Sequence, residues 1–235
     1  KEISQADRVP LIRIPHNVSE SEQNKFSQIK NVLISEGYTT IFVFTGVTVN
    51  ELESEFEFFK YNSLLFLKNI EKTEITLNST TITEVIKNKI NDSQFKSTLK
   101  SNNEVSNWLI SYENTTAIAF SLLNNEIVKI SKEESLVHAF LPTEDINGLG
   151  VLINGNFSTD PSRRHLIFES ETKESIKQSS FQIVKLIKEC INNEDKDSIG
   201  IINSLVPYSD PRMLQFAKKS FTKFLLDEMK LVDIE

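Results

Sequence analysis

The chain has 235 residues, 39% of them hydrophobic and 25% charged, which is enough to bury a core in one or two globular domains. Its net charge of −7 argues against a dedicated nucleic-acid-binding protein, which needs a basic surface. The sequence contains no run of about 18 apolar residues, which a membrane-spanning helix would need, so we expect no membrane partner. The one cysteine, Cys190, cannot form an internal disulfide, and we expect a reducing, cytoplasmic compartment.

The N-terminal region predicts alternating strands and helices. Residues 8–15 alternate between apolar and polar side chains and predict a strand. Ser19 and Glu22 have the spacing of a capping box, which predicts a helix that Gly37 ends. Residues 39–44 are β-branched and aromatic, and they predict a second strand.

Residues further along carry weaker signals. A second capping box predicts a helix over about 48–60. Residues 64–70 form an apolar run that a strand and a helix could both contain. Residues 73–78 alternate and predict a strand, whereas the polar stretch 80–100 is interpreted as a connector or a short helix.

The next part of the chain predicts four strands. Residues 105–114 and 115–124 form two of them, joined by a tight turn. Residues 137–142 and 150–155 form the other two, on either side of a loop at 143–148.

The C-terminal third changes to helical patterns. An apolar stripe runs through residues 176–191, and Asp210 followed by Pro211 predicts the start of a last helix that continues to about residue 229. The whole pattern predicts an α/β (α+β) fold with a mixed sheet and helices at its C-terminal end.

Most candidates for catalysis or metal binding have simpler explanations. Cys190 lies on the apolar edge of a predicted helix and is interpreted as a core residue. His16, His138 and His165 are far apart and lack metal-ligand spacing, so no metal site is predicted. Ser162 lies close to His165, but residues three apart seldom form a catalytic triad, and a free-standing hydrolase is the weakest hypothesis.

The sequence contains no complete nucleotide-binding motif. Gly148-Leu149-Gly150 resembles the start of a dinucleotide loop, but it leads into the strand-like residues 151–153 rather than a helix. No G-x-x-x-x-G-K-S/T phosphate-binding loop is present.

The adjacent pair Arg163 and Arg164 stands out, because the chain has five arginines against 21 lysines. Asp160 and Pro161 predict a helix N-terminus just before the pair, where backbone N–H groups and arginine side chains would bind an anion. Arginine provides a rigid, permanently charged fork for phosphate or carboxylate. The alternative is a pair of surface arginines bound to Asp160 or Glu169.

The segment 140–170 resembles the sacsin-type branch of heat-shock-protein-90-like (GHKL superfamily) ATPases. The matching elements are Phe140-Leu141-Pro142, the turn Gly148 to Gly150, Ile153-Asn154-Gly155, Phe157 and Arg163-Arg164. Residues 63–75 and 10–15 resemble two further segments of that family. The resemblance implies its middle domain, with a left-handed β-α-β arrangement of ribosomal-protein type.

This resemblance also implies a site and its partners. Arg163, or alternatively Arg164, would contact the terminal phosphate of ATP, which is held with Mg in a separate N-terminal domain. Asn154 and Gly155 would shape the loop beneath it as part of the cofactor site. The implied domains are a terminal strand or linker at 1–17, a transducer-like domain at 18–192 and a helical extension at 193–235.

Such a domain is not catalytic alone and becomes part of an ATPase when joined to the ATP-binding domain. The absence of a starting Met suggests that the chain is a segment of something longer. Further expected partners are a client protein and, in the full-length protein, a second copy in a homodimer. Chaperone and defence roles are both compatible with the family. The competing hypothesis is a protein–protein interaction module with no nucleotide role, in which the arginines are ion-paired internally.

Overall fold

A computed structural model describes residues 20–40, 48–50, 52, 61–67, 69–76, 80–101, 104–193, 196–209 and 220–232. The chain divides into two compact units, Lys1–Thr48 and Val49–Glu235. The domain boundaries predicted at residues 17 and 192 stay predictions.

The described part of the first unit is one helix, α1 (Glu20–Ser35). Gly37 has a left-handed backbone with φ of +94°. Its N–H donates to the Ile34 carbonyl, and the N–H of Tyr38 donates to the Leu33 carbonyl, both at 3.0 Å. These two bonds form a Schellman cap, which confirms the helix and its predicted end at Gly37. The strands predicted at 8–15 and 39–44 lie wholly or mostly outside the described residues, as does most of the helix predicted at 48–60.

The second unit is built on a sheet of mixed direction. Nine strands lie in the described residues: β1 (Lys72–Thr76), β2 (Thr80–Lys89), β3 (Gln94–Ser101), β4 (Glu104–Glu113), β5 (Thr116–Leu123), β6 (Glu126–Val128), β7 (Leu136–Ala139), β8 (Leu141–Ile146) and β9 (Leu152–Asn154). Their order is β1-β2-β3-β4-β5-β9-β7-β8, and β6 also pairs with β5. All pairs are antiparallel except β7 with β9.

Three helices follow the sheet: α2 (Ser170–Asn193), α3 (Lys196–Leu205) and α4 (Phe221–Met229). The long helix α2 confirms the prediction made from the apolar stripe at 176–191. The last helix is confirmed over Phe221–Met229, and its predicted start at Asp210 lies outside the described residues.

Three predictions for the strands were wrong. The single strand predicted at 137–142 is divided, because the chain reverses at Phe140 between β7 and the antiparallel β8. Residues 80–100 are not a connector or a short helix but the hairpin β2–β3, in which Val85 pairs with Leu99 and both side chains are buried. The buried face of this hairpin also carries polar residues, Thr83 and Ser97, so the segment looks hydrophilic as a whole. The loop predicted at 143–148 is largely β8, which pairs with β7 and is solvent-exposed on one side. The ambiguous run at 64–70 follows a short 3-10 turn (Tyr61–Leu64).

The sheet has a core on each face. On β5, Ile118 and Phe120 point towards α2, whereas Ala117 and Ala119 point to the opposite face. The helix side buries residues of the sheet and of all three helices together, including Val137, Ile153, Ile176, Ile183, Ile201, Leu205, Phe221 and Leu225. The other side is covered by Leu64, Leu65 and Phe66. The described residues after 193 thus share one core with the sheet.

The mixed α/β class is confirmed. The parallel strands β7 and β9 are connected through β8 rather than through a helix. Within the described residues no strand follows α2. The left-handed β-α-β arrangement therefore stays a prediction. No helix in the described residues has the length and apolar character that crossing a bilayer requires.

Candidate phosphate-sensing arginine site

Arg163 and Arg164 lie in the loop between β9 and α2, not at the start of a helix. The helix predicted after Asp160 is therefore wrong, because α2 begins only at Ser170 and Arg163 has a left-handed φ of +60°. The carboxylate of Asp160 accepts the backbone N–H of Arg164 at 3.0 Å, and the Asp160 carbonyl accepts the N–H of Arg163 at 2.9 Å. Asp160 thus closes a tight turn instead of capping a helix.

The Asp160 carboxylate is the centre of this loop. Ser162 Oγ donates to both of its oxygens at 2.8 Å. That bond is the main cause that holds the pKa of Asp160 below its ordinary value, and the backbone N–H groups of His165 and Arg164 add to it. The Ser162 hydroxyl is therefore bound to Asp160 rather than to His165, which removes the serine–histidine pair considered above.

The Arg163 side chain is exposed and lightly held. Its Nη2 donates to the Ala139 carbonyl at 3.2 Å. In the described part of the chain no carboxylate is within ion-pair distance of its guanidinium. Among the described residues, the guanidinium therefore bonds a neutral carbonyl and no carboxylate, and this bond uses one of its five N–H donors.

The Arg164 side chain has a different environment. Its Nη1 lies 3.6 Å from Glu144 Oε1, and its carbonyl accepts the Glu144 backbone N–H at 2.7 Å. His165 lies against the same strand, with Nε2 3.6 Å from Glu144 and Nδ1 3.7 Å from Asp145. Arg164 and His165 therefore fasten the loop to β8, and Arg163 does not.

Asn154 and Gly155 are both buried beneath this loop. Asn154 Oδ1 accepts the backbone N–H of Phe140 at 2.9 Å, and the Gly155 N–H donates to the His138 carbonyl at 3.1 Å. A Cβ at Gly155 would lie 2.9 Å from the Phe157 ring, so only glycine fits there without a shift. Both residues are buried in the described structure, and their place in a cofactor site stays a prediction.

Backbone strain is concentrated next to Arg163. Five non-glycine residues among those described have positive φ: Asn114, Asn124, Asn125, Phe140 and Arg163. Asparagine adopts this conformation readily in turns, but a bulky L-residue loses about 1–2 kcal/mol. Phe140 has φ of +65° and is 45% exposed. Arg163 bonds the carbonyl of Ala139, which directly precedes Phe140, so the two strained residues lie close together. Backbone strain of this kind is typical of functional sites.

His138 is a feature that the sequence did not indicate. Its ring is fully buried, and neither nitrogen makes a hydrogen bond of acceptable geometry in the described residues, although the Leu136 backbone is close enough to oppose the effect of burial. It lies edge-on to Phe66, with the ring centroids 5.0 Å apart. Burial lowers the pKa of His138 to about 4, so the imidazole is neutral at neutral pH. A lone histidine within an apolar strand has no spacing pattern that would reveal this.

Cys190 is buried, as expected of a core residue, and it is not part of a disulfide. No group of three or more His, Cys, Asp or Glu side chains in the described ranges could hold a metal ion.

Comparison with known proteins found no matching protein-family model, no matching curated protein and no matching solved structure. Function is therefore inferred from the arginine loop and from the resemblance carried by residues 140–170.

Proposed function

We propose that this chain is the middle, transducer-type domain of a sacsin-like, heat-shock-protein-90-like ATPase. Arg163 contacts the terminal phosphate of ATP, which a separate N-terminal domain binds with Mg, and the contact couples hydrolysis to a client or partner protein. The observation that supports this best is the exposed, strained Arg163, whose guanidinium has no carboxylate partner in the described residues.

The geometry of Arg163 favours a ligand that is brought from outside. A 3.2 Å bond to a neutral carbonyl is weak compared with a charge-assisted, two-pronged contact to phosphate. The arriving phosphate would therefore displace or share that bond at little cost. When the terminal phosphate leaves, the contact disappears and the two domains separate.

Arg163 is a better candidate than Arg164 on the same reasoning. Arg164 lies beside Glu144 and is tied to β8 through its backbone. Using it for phosphate would break a contact that orders the loop. We therefore assign phosphate contact to Arg163 and loop attachment to Arg164.

The test is ATP turnover by the full-length protein that carries this chain together with its ATP-binding domain. Arg163→Ala is expected to lower kcat by roughly 10²-fold or more, the range for loss of one preorganised donor to transition-state charge. Arg164→Ala is the matched control and should leave a much larger fraction of the activity. An Arg163→Ala protein with unchanged turnover contradicts the proposal. This chain alone is expected to hydrolyse no ATP.

A second candidate, the protein–protein interaction module, is favoured by apolar side chains near the junction of α2 and α3. Ile191 is 62% exposed and Ile199 is 57% exposed, and Ile191 lines a shallow apolar groove with Val184 and Ile187. The ion pair between Arg164 and Glu144 also fits that hypothesis. It predicts that Ile191→Asp abolishes partner binding while Arg163→Ala has no effect, the reverse of the first proposal.

A further inference from the structure

We infer that Asn154 is a positioning residue for Arg163, acting through the peptide group between Ala139 and Phe140. The link is geometric and is made by two hydrogen bonds of the chain itself, without any ligand. Its consequence for phosphate contact rests on the function proposed above.

One peptide group makes both of the hydrogen bonds involved. Its N–H belongs to Phe140 and donates to Asn154 Oδ1 at 2.9 Å. Its C=O belongs to Ala139 and accepts Arg163 Nη2 at 3.2 Å. In a trans peptide these two groups point in opposite directions, so Asn154 and Arg163 lie at opposite ends of one planar unit.

Asn154 is well placed to fix the orientation of this peptide. Its side chain is 4% exposed, and its backbone is paired with Ala117 in β5 and with His138 in β7. The acceptor oxygen is therefore held by the sheet rather than by a mobile loop. Arg163, by contrast, lies in an exposed turn. The sheet thus fixes Asn154, Asn154 fixes the peptide group, and the carbonyl of that peptide positions the Arg163 guanidinium.

The left-handed backbone of Phe140 shows that this orientation is imposed. At φ of +65° a phenylalanine is strained, and rotation of the peptide by about half a turn would return φ to the ordinary extended range. That rotation would break the bond to Asn154 and turn the Ala139 carbonyl away from Arg163. Asn154 therefore keeps the peptide in the one orientation that can hold the guanidinium.

If Asn154 positions Arg163, substituting Asn154 should change measurements at both Phe140 and Arg163 in the full 235-residue chain, without any nucleotide. Asn154→Ala is expected to lower hydrogen-exchange protection of the Phe140 amide by roughly fivefold, the equivalent of one hydrogen bond of about 1 kcal/mol. It should also shift the ¹⁵N resonances of the Arg163 guanidinium. Asn154→Asp, which keeps an acceptor oxygen, should restore both signals. Asn156→Ala is the matched control, because Asn156 is an exposed asparagine of the same loop.

The reverse experiment covers the case in which Asn154→Ala does not fold. Arg163→Ala alters an exposed side chain and should lower protection of the Phe140 amide, because coupling between two groups is reciprocal. Phe140→Gly removes the strain, so adding Asn154→Ala to it should shift the Arg163 resonances less than in the parent chain. Unchanged Arg163 resonances in folded Asn154→Ala, or an unchanged Phe140 amide in Arg163→Ala, overturns the inference. Neither result depends on ATP binding, so the two proposals can fail separately.

Discussion

Arg163 and Arg164 are adjacent in sequence, yet their guanidinium groups have different partners. Arg163 donates to the Ala139 carbonyl, and Arg164 lies beside the Glu144 carboxylate. Arg164 is thus paired with a carboxylate of β8, while the exposed Arg163 bonds a neutral carbonyl of β7.

The strain at Arg163 leads to the first prediction. Arg163→Gly should leave the free energy of unfolding unchanged or raise it by up to about 1 kcal/mol, because glycine adopts positive φ without steric cost. The same variant should lose the ATP turnover of the full-length protein. Urea denaturation measures the first effect and a phosphate-release assay the second. Arg163→Ala is the control: it should lose turnover without gaining stability, since alanine is strained at this φ. A marked loss of stability in Arg163→Gly would contradict this account.

The second prediction concerns the pH dependence that His138 gives to the fold. The unfolded chain protonates this histidine near pH 6.5, whereas the folded chain does so only near pH 4. Stability from this group is therefore complete above about pH 6.5 and is lost as the pH falls towards 4, by roughly 3 kcal/mol.

Urea midpoints measured between pH 7 and pH 4 test this directly. His138→Leu should remove the part of the stability loss that comes from His138. The free energy of unfolding of the variant, relative to that of the parent chain, should therefore rise as the pH drops. His165→Leu serves as a comparison, because the His165 side chain is 58% exposed and lies beside Glu144 and Asp145 rather than in an apolar core. Parallel curves for His138→Leu and the parent chain would show that His138 does not titrate in this way.

A third prediction compares two glycines that share a backbone conformation. Gly148 has φ of +82°, and a Cβ there would overlap the Thr222 side chain. Gly148→Ala should therefore cost the left-handed strain of about 1–2 kcal/mol and an overpacking cost of about 1–3 kcal/mol. Gly37 has φ of +94° with nothing within 4 Å of the same position, so Gly37→Ala should show the strain alone. Equal losses in thermal or urea unfolding would mean that the Thr222 contact does not matter.

The fourth prediction concerns a buried amide that joins α2 to the sheet. Gln182 Nε2 donates to the Ser111 carbonyl at 2.9 Å, and Gln182 Oε1 accepts the Thr116 hydroxyl at 2.9 Å. Gln182→Ala removes the donor to the buried Ser111 carbonyl, while the Thr116 hydroxyl keeps its bond to the Glu113 carbonyl at 3.0 Å. The loss should cost about 1–3 kcal/mol of unfolding free energy. Gln178, one turn earlier, bonds Thr115 at an exposed position, and Gln178→Ala should change stability by less than about 0.5 kcal/mol. Equal losses in the two variants would contradict the account.

Local sequence patterns were sufficient where a segment's own side chains decide its structure. The end of α1 at Gly37 and the stripe that defines α2 follow from residues close in sequence, because glycine freedom and helical periodicity act over one or a few turns. Patterns failed for β2–β3 and for β8, where pairing with a neighbouring strand makes a polar segment extended.

The candidate site shows the same division. The sequence by itself determined that an arginine pair follows an Asn-Gly corner, and that no complete nucleotide-binding motif accompanies it. Only the tertiary structure decided which arginine is held by a carboxylate and which is not. Those contacts join Arg163 to Ala139 and Arg164 to Glu144, across 20 or more residues of chain. Such pairings depend on the order of strands in the sheet, which no local pattern of side chains specifies.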